Sequence, residues 1–321
     1  MGRFQESRVR DGLREVTGRL TILVPMAIAV PDRVLRALEE RGGVLPAAAV
    51  AEWAREGCAP EEQMAALLPQ AARLAVPALS GFAVGAVLRG APEPAAGEHA
   101  ALYLGANLEF AGQAPNFAVH AEQAAVNLAA SHGETAATAI ATGAAPCGHC
   151  RQFLCELPDA GRLRVLVASA APRTLAELLP HFFGPADLGR VATLLRSPTV
   201  RLRLRDDSTD ALVRDALHAA ERAYAPYTGC PAGVALETRA GAVFTGRSLE
   251  SAAFNPSLPA FGSAALAAAM ARAAGEPLPA LCRAVLVECA GRSSQRAGAE
   301  AMLAALAPDL ALEYHLAEAA G

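Results

Sequence analysis

The sequence predicts an α/β protein made of two tandem domains, each a mixed β-sheet covered by helices, after a helical N-terminal segment. The chain has 321 residues, which is long for one compact domain and natural for two. Predicted strands and helices alternate from about residue 79, and the same order of elements occurs a second time, over roughly 100 residues. The predicted limits are 1–78 for the helical segment, 79–183 for the first domain, 184–208 for a linker and 209–321 for the second domain.

Residues 1–78 have apolar residues at three- and four-residue spacing with Gly and Pro as stops, which is typical of helices. The clearest cases are "PDRVLRALEERGG" and "PEEQMAALLPQAARLA". The preceding run "LTILVPMAIAV" is too short to cross a bilayer and is interrupted by Pro25. The first 20 residues have charges of both signs and do not resemble a secretory signal. We therefore expect a cytoplasmic protein.

The first predicted domain has the order β-β-α-β-α-β. Its strands are "GFAVGAVLRG", "ALYLGANLEF", "TAATAIATG" and "LRVLVAS", and its helices are "HAEQAAVNLAASHG" and "PCGHCRQFLCEL". Gly133 is a helix stop and Pro146 lies near the first turn of the second helix. The second predicted domain repeats this order, from "CPAGVALETRAGAVFTGRSLE" through "SAALAAAMARAAG" and "CRAVLVECA" to "AGAEAMLAALA" and "LALEYHL".

Composition excludes several kinds of chemistry. All 28 basic residues are arginine, so the chain lacks the lysine that Schiff-base catalysis, pyridoxal phosphate attachment and phosphate-binding loops require. The formal charge of −4 gives no field that would recruit nucleic acid or an anionic membrane. The arginines of "VRLRLR" at 200–205 indicate a charged edge strand rather than a nucleic-acid groove. We expect a small-molecule partner.

Four residues in the first domain form a pattern that suits zinc. His120 and Glu122 lie in the first turn of one predicted helix, and Cys147 and Cys150 lie in the first turn of another, where helix N-termini favour thiolates. One imidazole and two thiolates leave the fourth position of a tetrahedral zinc open for water, whose pKa falls towards neutrality. Glu122, which is not a ligand, is then the candidate proton carrier.

The pattern H-x-E followed by P-C-x-x-C is an established signature of zinc-dependent nucleobase deaminases, and this chain matches it. The segments "FAVGAVLRG", "GANLEF", "VHAEQAA", "PCGHCRQF", "HFFGPADL" and "AAFNPSLP" resemble, in that order, the long two-domain bacterial cytidine deaminases. The resemblance covers most of residues 60–290.

This resemblance implies one Zn²⁺ per chain, bound by His120, Cys147 and Cys150, with Glu122 as proton shuttle. It further implies that Asn107 and Glu109 bind the ribose and that the pyrimidine packs against Phe82. The implied reaction is hydrolytic deamination of cytidine and 2′-deoxycytidine to uridine and 2′-deoxyuridine plus ammonia, a step of pyrimidine salvage. Hydroxide on zinc attacks C4 while Glu122 carries protons to ring N3 and to the departing amine.

The second domain lacks these reactive residues. Aligning Gly246, Ser248 and Glu250 with Gly105, Asn107 and Glu109 puts Phe261 and Ser263 opposite His120 and Glu122, and no C-x-x-C follows. The resemblance implies that this degenerate domain serves assembly of a homodimer. It also implies that four residues close the nucleoside pocket: Phe183, Ala252, Ala253 and Phe254.

Several alternatives stay open at the level of sequence. A related enzyme could deaminate another base, and the same scaffold could bind a nucleoside without turnover. His149 raises the further possibility of a closed structural zinc site with four protein ligands. Cys155 lies about 140° around the helix from Cys150 and is expected in the core, and Arg151 is expected at the surface or in packing.

Overall fold

The computed structural model describes residues 28–167 and 170–320, so the first 27 residues, including most of "LTILVPMAIAV", lie outside the described part. The helices are α1 (Asp32–Glu40), α2 (Ala47–Ala54), α3 (Pro60–Ala72), α4 (Ala121–Ser131), α5 (Gly148–Leu154), α6 (Leu175–Leu178), α7 (Ala211–Glu221), α8 (Ala260–Met270) and α9 (Arg296–Leu306). The strands are β1 (Val44–Leu45), β2 (Gly85–Glu93), β3 (His99–Ala106), β4 (Ala139–Thr142), β5 (Arg164–Val167), β6 (Arg173–Thr174), β7 (Leu202–Leu204), β8 (Ala232–Thr238), β9 (Val243–Arg247), β10 (Leu281–Cys289) and β11 (Glu313–Ala319). This is the α/β architecture that the sequence predicts.

Two mixed sheets form the core of the molecule. The first has the strand order β1-β3-β2-β4-β5-β6 and the second β7-β11-β10-β8-β9. In each sheet an antiparallel hairpin, β2-β3 or β8-β9, is followed by one antiparallel and one parallel pairing. The parallel pairs β4-β5 and β10-β11 need a crossover, and α5 and α9 supply it.

The duplication extends to the helix before each hairpin. Gly85 of β2 lies against the backbone of α3, and a Cβ there would be 2.5 Å from Leu68 O. Gly233 of β8 lies against α7 in the same way. A strand glycine is needed at such a point because any side chain would separate helix from sheet. The two units therefore share the order α-β-β-α-β-α-β.

The predicted domain limits differ from these contacts at two places. β1 lies inside the predicted helical segment and pairs with β3, so residues 44–45 belong to the first sheet. β7 lies inside the predicted linker and pairs with β11 at the edge of the second sheet. We propose that the first unit includes β1, with its repeated elements starting at Pro60, and that the linker ends before Leu202.

The two units are packed together rather than joined only by the linker. One continuous apolar cluster includes Phe110 and Val126 from the first unit and Phe261 and Leu286 from the second. Buried Asn127 on α4 accepts a hydrogen bond of 2.8 Å from the hydroxyl of Ser263 on α8. The described residues contain no helix that is long and apolar enough to span a membrane.

Candidate active site

The site is built where the starts of two helices meet. His120 is the N-cap of α4 and Cys147 is the N-cap of α5, with Cys150 one turn into that helix. The Nδ1 atom of His120 is 3.5 Å from Cys147 Sγ and 3.3 Å from Cys150 Sγ, and the two sulfurs are 3.6 Å apart. Three residues separated by up to 30 positions therefore converge on one point.

These separations fit a tetrahedral zinc ion. Bond lengths of about 2.3 Å to sulfur and about 2.0–2.1 Å to nitrogen put the donor atoms of such an ion roughly 3.5–3.8 Å apart. One imidazole and two thiolates are also a donor set that zinc prefers. Among the described residues, these three form the one His, Cys, Asp and Glu cluster that could hold a metal, and His149 is not part of it. A closed structural zinc site with His149 as fourth ligand is therefore not what the structure shows.

The two thiols titrate as a pair. The hydrogen bond between the Cys147 and Cys150 side chains lowers the pKa of Cys147 to about 4, and the backbone N–H groups of Cys150 and His149 act in the same direction. The pKa of Cys150 is raised by that hydrogen bond to Cys147, by burial and by the nearby Glu122 carboxylate. One thiolate is thus already present at neutral pH for a metal to bind.

Glu122 lies on the first turn of α4 beside these ligands. Its side chain is 4% exposed, and this burial raises the pKa of the carboxyl against the opposing effects of hydrogen bonds from its own backbone N–H and from Cys150. A carboxyl group whose pKa is raised towards neutrality can both take and return a proton. Glu122 is therefore chemically suited to proton transfer.

His120 is held from two sides by groups that sequence reasoning missed. The backbone N–H of His120 donates to Gln123 Oε1 at 3.0 Å, which is the second half of a capping box. The rings of His120 and His149 lie 4.8 Å apart at 44°. The signal for Gln123 was available in the sequence, because a Gln at the third position of a helix commonly caps the residue before the helix.

A cavity of about 260 Å³ opens beside the cluster. Its lining includes His120, Glu122 and Cys147, together with Phe82, Asn107 and Glu109. Phe82 is 53% exposed, so its ring is accessible to a ligand in the cavity. The structure thus brings all three predicted substrate-binding residues to the metal cluster.

Asn107 and Glu109 also fix the rim of this cavity. Asn107 Oδ1 accepts from Val84 N at 2.8 Å, and its Nδ2 donates to Phe82 O at 3.1 Å. Glu109 accepts from the backbone N–H groups of Leu79 and Ser80 at 2.7 and 2.8 Å and from the Ser80 hydroxyl at 2.6 Å. The Ser80 contact is a second feature that the sequence reasoning did not identify.

The second unit has a different residue at each reactive position, and the predicted alignment of that unit was wrong by two residues. α8 begins after Pro259, so Pro259 occupies the N-cap position of His120 and Phe261 the position of Glu122. The segment from Glu250 to Pro259 is two residues shorter than the equivalent segment of the first unit, from Glu109 to His120. At the N-cap of α9, Gln295 replaces Cys147, and its Oε1 accepts from Ala260 N at 2.8 Å. A hydrogen bond thus joins the two helix starts of this unit.

The predicted closing residues lie outside the cavity within this chain. Phe183 and Phe254 are 50% and 62% exposed. Ala252 is buried and donates its N–H to Glu156, and Ala253 is the next residue of the same turn. Their role in closing the pocket stays a prediction.

The remaining sequence expectations concern the surroundings of α5. Cys155 is 1% exposed, as expected for a core residue. Arg151 donates to the carbonyl oxygens of Pro146 and Leu178, both at 2.8 Å, which is the packing role expected. All seven cysteines are free thiols.

The geometry of the site by itself defines a class of protein. An open His-Cys-Cys metal cluster, a buried carboxyl group beside it and an adjoining cavity with an exposed aromatic ring are the parts of a zinc-dependent hydrolytic deaminase. Family models described as "Cytidine and deoxycytidylate deaminase zinc-binding region" match the chain twice, over residues 59–166 and 175–300. The chain belongs to this family, in the long form with two tandem domains, and its cofactor is zinc.

Individual relatives agree with this assignment. The chain is 43% identical over 250 residues to cytidine deaminase of Vibrio cholerae. The matched region covers 78% of this chain and 81% of the relative. It is 42% identical over 254 residues to cytidine deaminase of Photobacterium profundum, with coverage of 79% and 82%. Among solved structures, cytidine deaminase from Mycobacterium tuberculosis matches 39% of this chain and 98% of its own, with 25% identity and a TM-score of 0.33.

Proposed function

We propose that this protein is a zinc-dependent cytidine deaminase that converts cytidine and 2′-deoxycytidine to uridine and 2′-deoxyuridine with release of ammonia, a reaction of pyrimidine salvage. The observation that carries the proposal is one cavity that joins the His-Cys-Cys cluster and Glu122 to Phe82, Asn107 and Glu109. The 43% identity to cytidine deaminase of Vibrio cholerae supports the same substrate.

The metal ligands in this proposal are His120, Cys147 and Cys150. Zinc bound there supplies a water molecule that is acidified at neutral pH. Glu122 carries the protons: it accepts one from the attacking water and delivers it to ring N3, then accepts the remaining proton from the new C4 hydroxyl and passes it to the departing amine. In the overall reaction a C4–O bond forms, the C4–N bond breaks, and ammonia leaves.

The nucleoside is oriented by the opposite wall of the cavity. The exposed face of Phe82 suits a flat heteroaromatic ring. A carboxylate can accept about four hydrogen bonds. Glu109 accepts three from residues 79–80 and a longer one of 3.4 Å from Asn107 Nδ2, and a ribose hydroxyl can replace the longer one. Asn107 Nδ2 lies 3.4 Å from Glu109 Oε1, so the two polar groups can bind the same sugar.

The test is an activity panel. Zinc-loaded protein is incubated separately with cytidine, 2′-deoxycytidine, adenosine, cytosine and guanine, and the products are separated by liquid chromatography with ammonia assayed in parallel. We expect uridine and 2′-deoxyuridine in amounts equal to the ammonia released. Turnover of a purine or a free base, with cytidine untouched, would contradict the proposal.

The proposal includes assembly as a homodimer in the cytoplasm. Two phenylalanine side chains outside the cavity that are at least half exposed, Phe183 and Phe254, are suited to contact with a second copy. Sedimentation velocity should give twice the chain mass of 32.9 kDa, and Phe254→Asp should shift it towards the monomer. The reduced thiols that the metal site requires favour a reducing compartment such as the cytoplasm.

A further inference from the structure

A turn of the second unit, residues 251–257, reaches the metal site of the first unit. Its far end is anchored on Glu156, which follows α5 and is fully buried. Glu156 Oε1 accepts from Ala252 N at 2.7 Å. Glu156 Oε2 accepts from the hydroxyls of Tyr224 at 2.8 Å and Tyr227 at 2.6 Å. Three donors of the second unit therefore converge on one carboxylate of the first.

The turn itself is tightly bonded. Ser251 N donates to Ser257 Oγ at 2.9 Å, and Phe254 N donates to Ser251 O at 2.8 Å. Asn255 N donates to Ala253 O at 2.7 Å, and Phe254 has a left-handed backbone with φ of 60°. Such internal bonds make the turn a connected unit, so a displacement at its start is transmitted to its end.

The near end of the turn contacts Gln123. The carbonyl oxygen of Pro256 accepts from Gln123 Nε2 at 2.8 Å. Gln123 is 1% exposed, and its Oε1 accepts from the backbone N–H of the metal ligand His120 at 3.0 Å. The amide of Gln123 is therefore oriented by Pro256, because the opposite orientation would point its oxygen at a carbonyl oxygen.

We infer that Glu156 and Gln123 are positioning residues that act through the 251–257 turn to fix His120 for zinc. The inference rests on the proposed function for the identity of the metal ligands. The bonds form a continuous path from Glu156 through Ala252, the turn, Pro256 and Gln123 to His120. Partners outside the ligand set orient metal ligands and contribute to metal retention. The second unit, which has no zinc ligands of its own, thereby takes part in zinc binding by the first.

The experiment measures zinc release from the purified, zinc-loaded protein into a chromogenic chelator, together with cytidine kinetics. Glu156→Gln and Tyr227→Phe are the test variants, because both lie away from the ligands and weaken the anchor. We expect zinc release about tenfold faster, with kcat lowered to a similar extent.

Tyr314→Phe is the matched control. The Tyr314 hydroxyl donates to another buried carboxylate, Glu288, at 2.9 Å, so this variant loses the same kind of bond without touching the turn. Its zinc release and kcat should equal those of the unmodified protein. If Glu156→Gln does not fold, Tyr227→Phe, which retains the carboxylate, decides the question.

The outcomes separate this inference from the proposed function. Unchanged zinc release in the folded test variants overturns the inference, as does equally fast release in Tyr314→Phe, which would indicate a global loss of stability. Faster zinc release in a protein that never deaminates cytidine would support the positioning path and contradict the proposed function.

Discussion

Glu109 and Glu250 occupy equivalent positions in the two units and make the same contacts. Glu109 accepts from the backbone N–H groups of Leu79 and Ser80 and from the Ser80 hydroxyl. Glu250 accepts from the backbone N–H groups of Tyr227 and Thr228 and from the Thr228 hydroxyl. Among the residues that the structure describes, the second unit has no metal cluster, so this carboxylate has a structural function that does not depend on catalysis.

The stabilisation that the Glu109 contacts give to the folded protein decreases as the pH falls. Burial would raise the pKa of Glu109, but hydrogen bonds from Ser80, Leu79 and Asn107 outweigh it and lower the pKa below the usual 4.5. A carboxyl group with a lowered folded-state pKa stabilises the protein above its unfolded pKa, and this stabilisation is lost as the pH falls through the folded value. Glu109→Gln should therefore lower Tm most at neutral pH.

Thermal unfolding between pH 7 and about 3.5 checks this prediction. The difference in Tm between the unmodified protein and Glu109→Gln should shrink as the pH falls below 4.5. The control is Glu40→Gln, at an exposed glutamate of α1. A difference that is constant over the whole range would mean that the Glu109 carboxylate is not the source of the stabilisation.

Phe82 offers a test of substrate orientation. Stacking of a base on an aromatic side chain contributes about 1–3 kcal/mol, so Phe82→Ala should raise the KM for cytidine by about tenfold to a hundredfold with zinc content unchanged. Phe244→Ala, which removes a partly buried ring from β9 of the second unit, should leave KM unaltered. Steady-state kinetics decide, and an unchanged KM in Phe82→Ala would exclude stacking.

At the scale of elements, the sequence patterns predicted the strands and helices well where they alternate, because local periodicity determines which face of each element is buried. Two features were not predictable in this way. β1 contains two residues, too few to show a pattern, whereas β7 lies in "VRLRLR", which was predicted as a charged edge strand. The segment before α8 is two residues shorter than the segment before α4, and the sequence offers no residue in α8 matching the reactive residues of α4 that would reveal the difference. The structure reveals it because Gly246 contacts the backbone of α8.

The contact between β3 and α4 positions the catalytic helix. Gly105 lies against α4 so closely that a Cβ would overlap Ala121 O and Ala125 N, and Gly246 lies against α8 in the same way. Gly105→Ala and Gly246→Ala should each cost about 1–3 kcal/mol of unfolding free energy. Only Gly105→Ala displaces His120 and Glu122, and a misplacement of about 1 Å can cost about a hundredfold in rate.

Cytidine turnover and chemical unfolding of both variants test this prediction. The two should lose similar stability, and kcat should fall by about a hundredfold in Gly105→Ala alone. Equal losses of kcat in the two variants would mean that the contact matters only for global stability.

At the scale of the whole molecule, we propose that one unit has the chemistry and that the other supports it. The four residues proposed for the reaction could be predicted from sequence because His120, Glu122, Cys147 and Cys150 lie within 31 positions and have fixed spacing. The path from Glu156 to His120 could not be predicted from sequence, because its hydrogen bonds join residues 96 and 133 positions apart through packing between the units. Such contacts depend on how the two sheets meet, which local patterns do not encode.

Metal content tests this asymmetry directly. Elemental analysis of the purified protein should give one zinc per chain, because Pro259, Phe261 and Gln295 occupy the reactive positions of the second unit. Cys150→Ser should lose most of this zinc, whereas Cys289→Ser, at a buried thiol of the second unit, should retain it. Two zinc ions per chain would contradict the assignment of a single metal site.

The central claim is that Glu122 moves protons at an open zinc site to deaminate cytidine. The most direct measurement is the rate of uridine and ammonia formation by the zinc-loaded protein beside Glu122→Gln at matched zinc content. We predict turnover in the unmodified protein and a loss of at least about a hundredfold in the variant. Absence of turnover in the unmodified protein with one zinc per chain, or an equal rate in Glu122→Gln, would contradict the account.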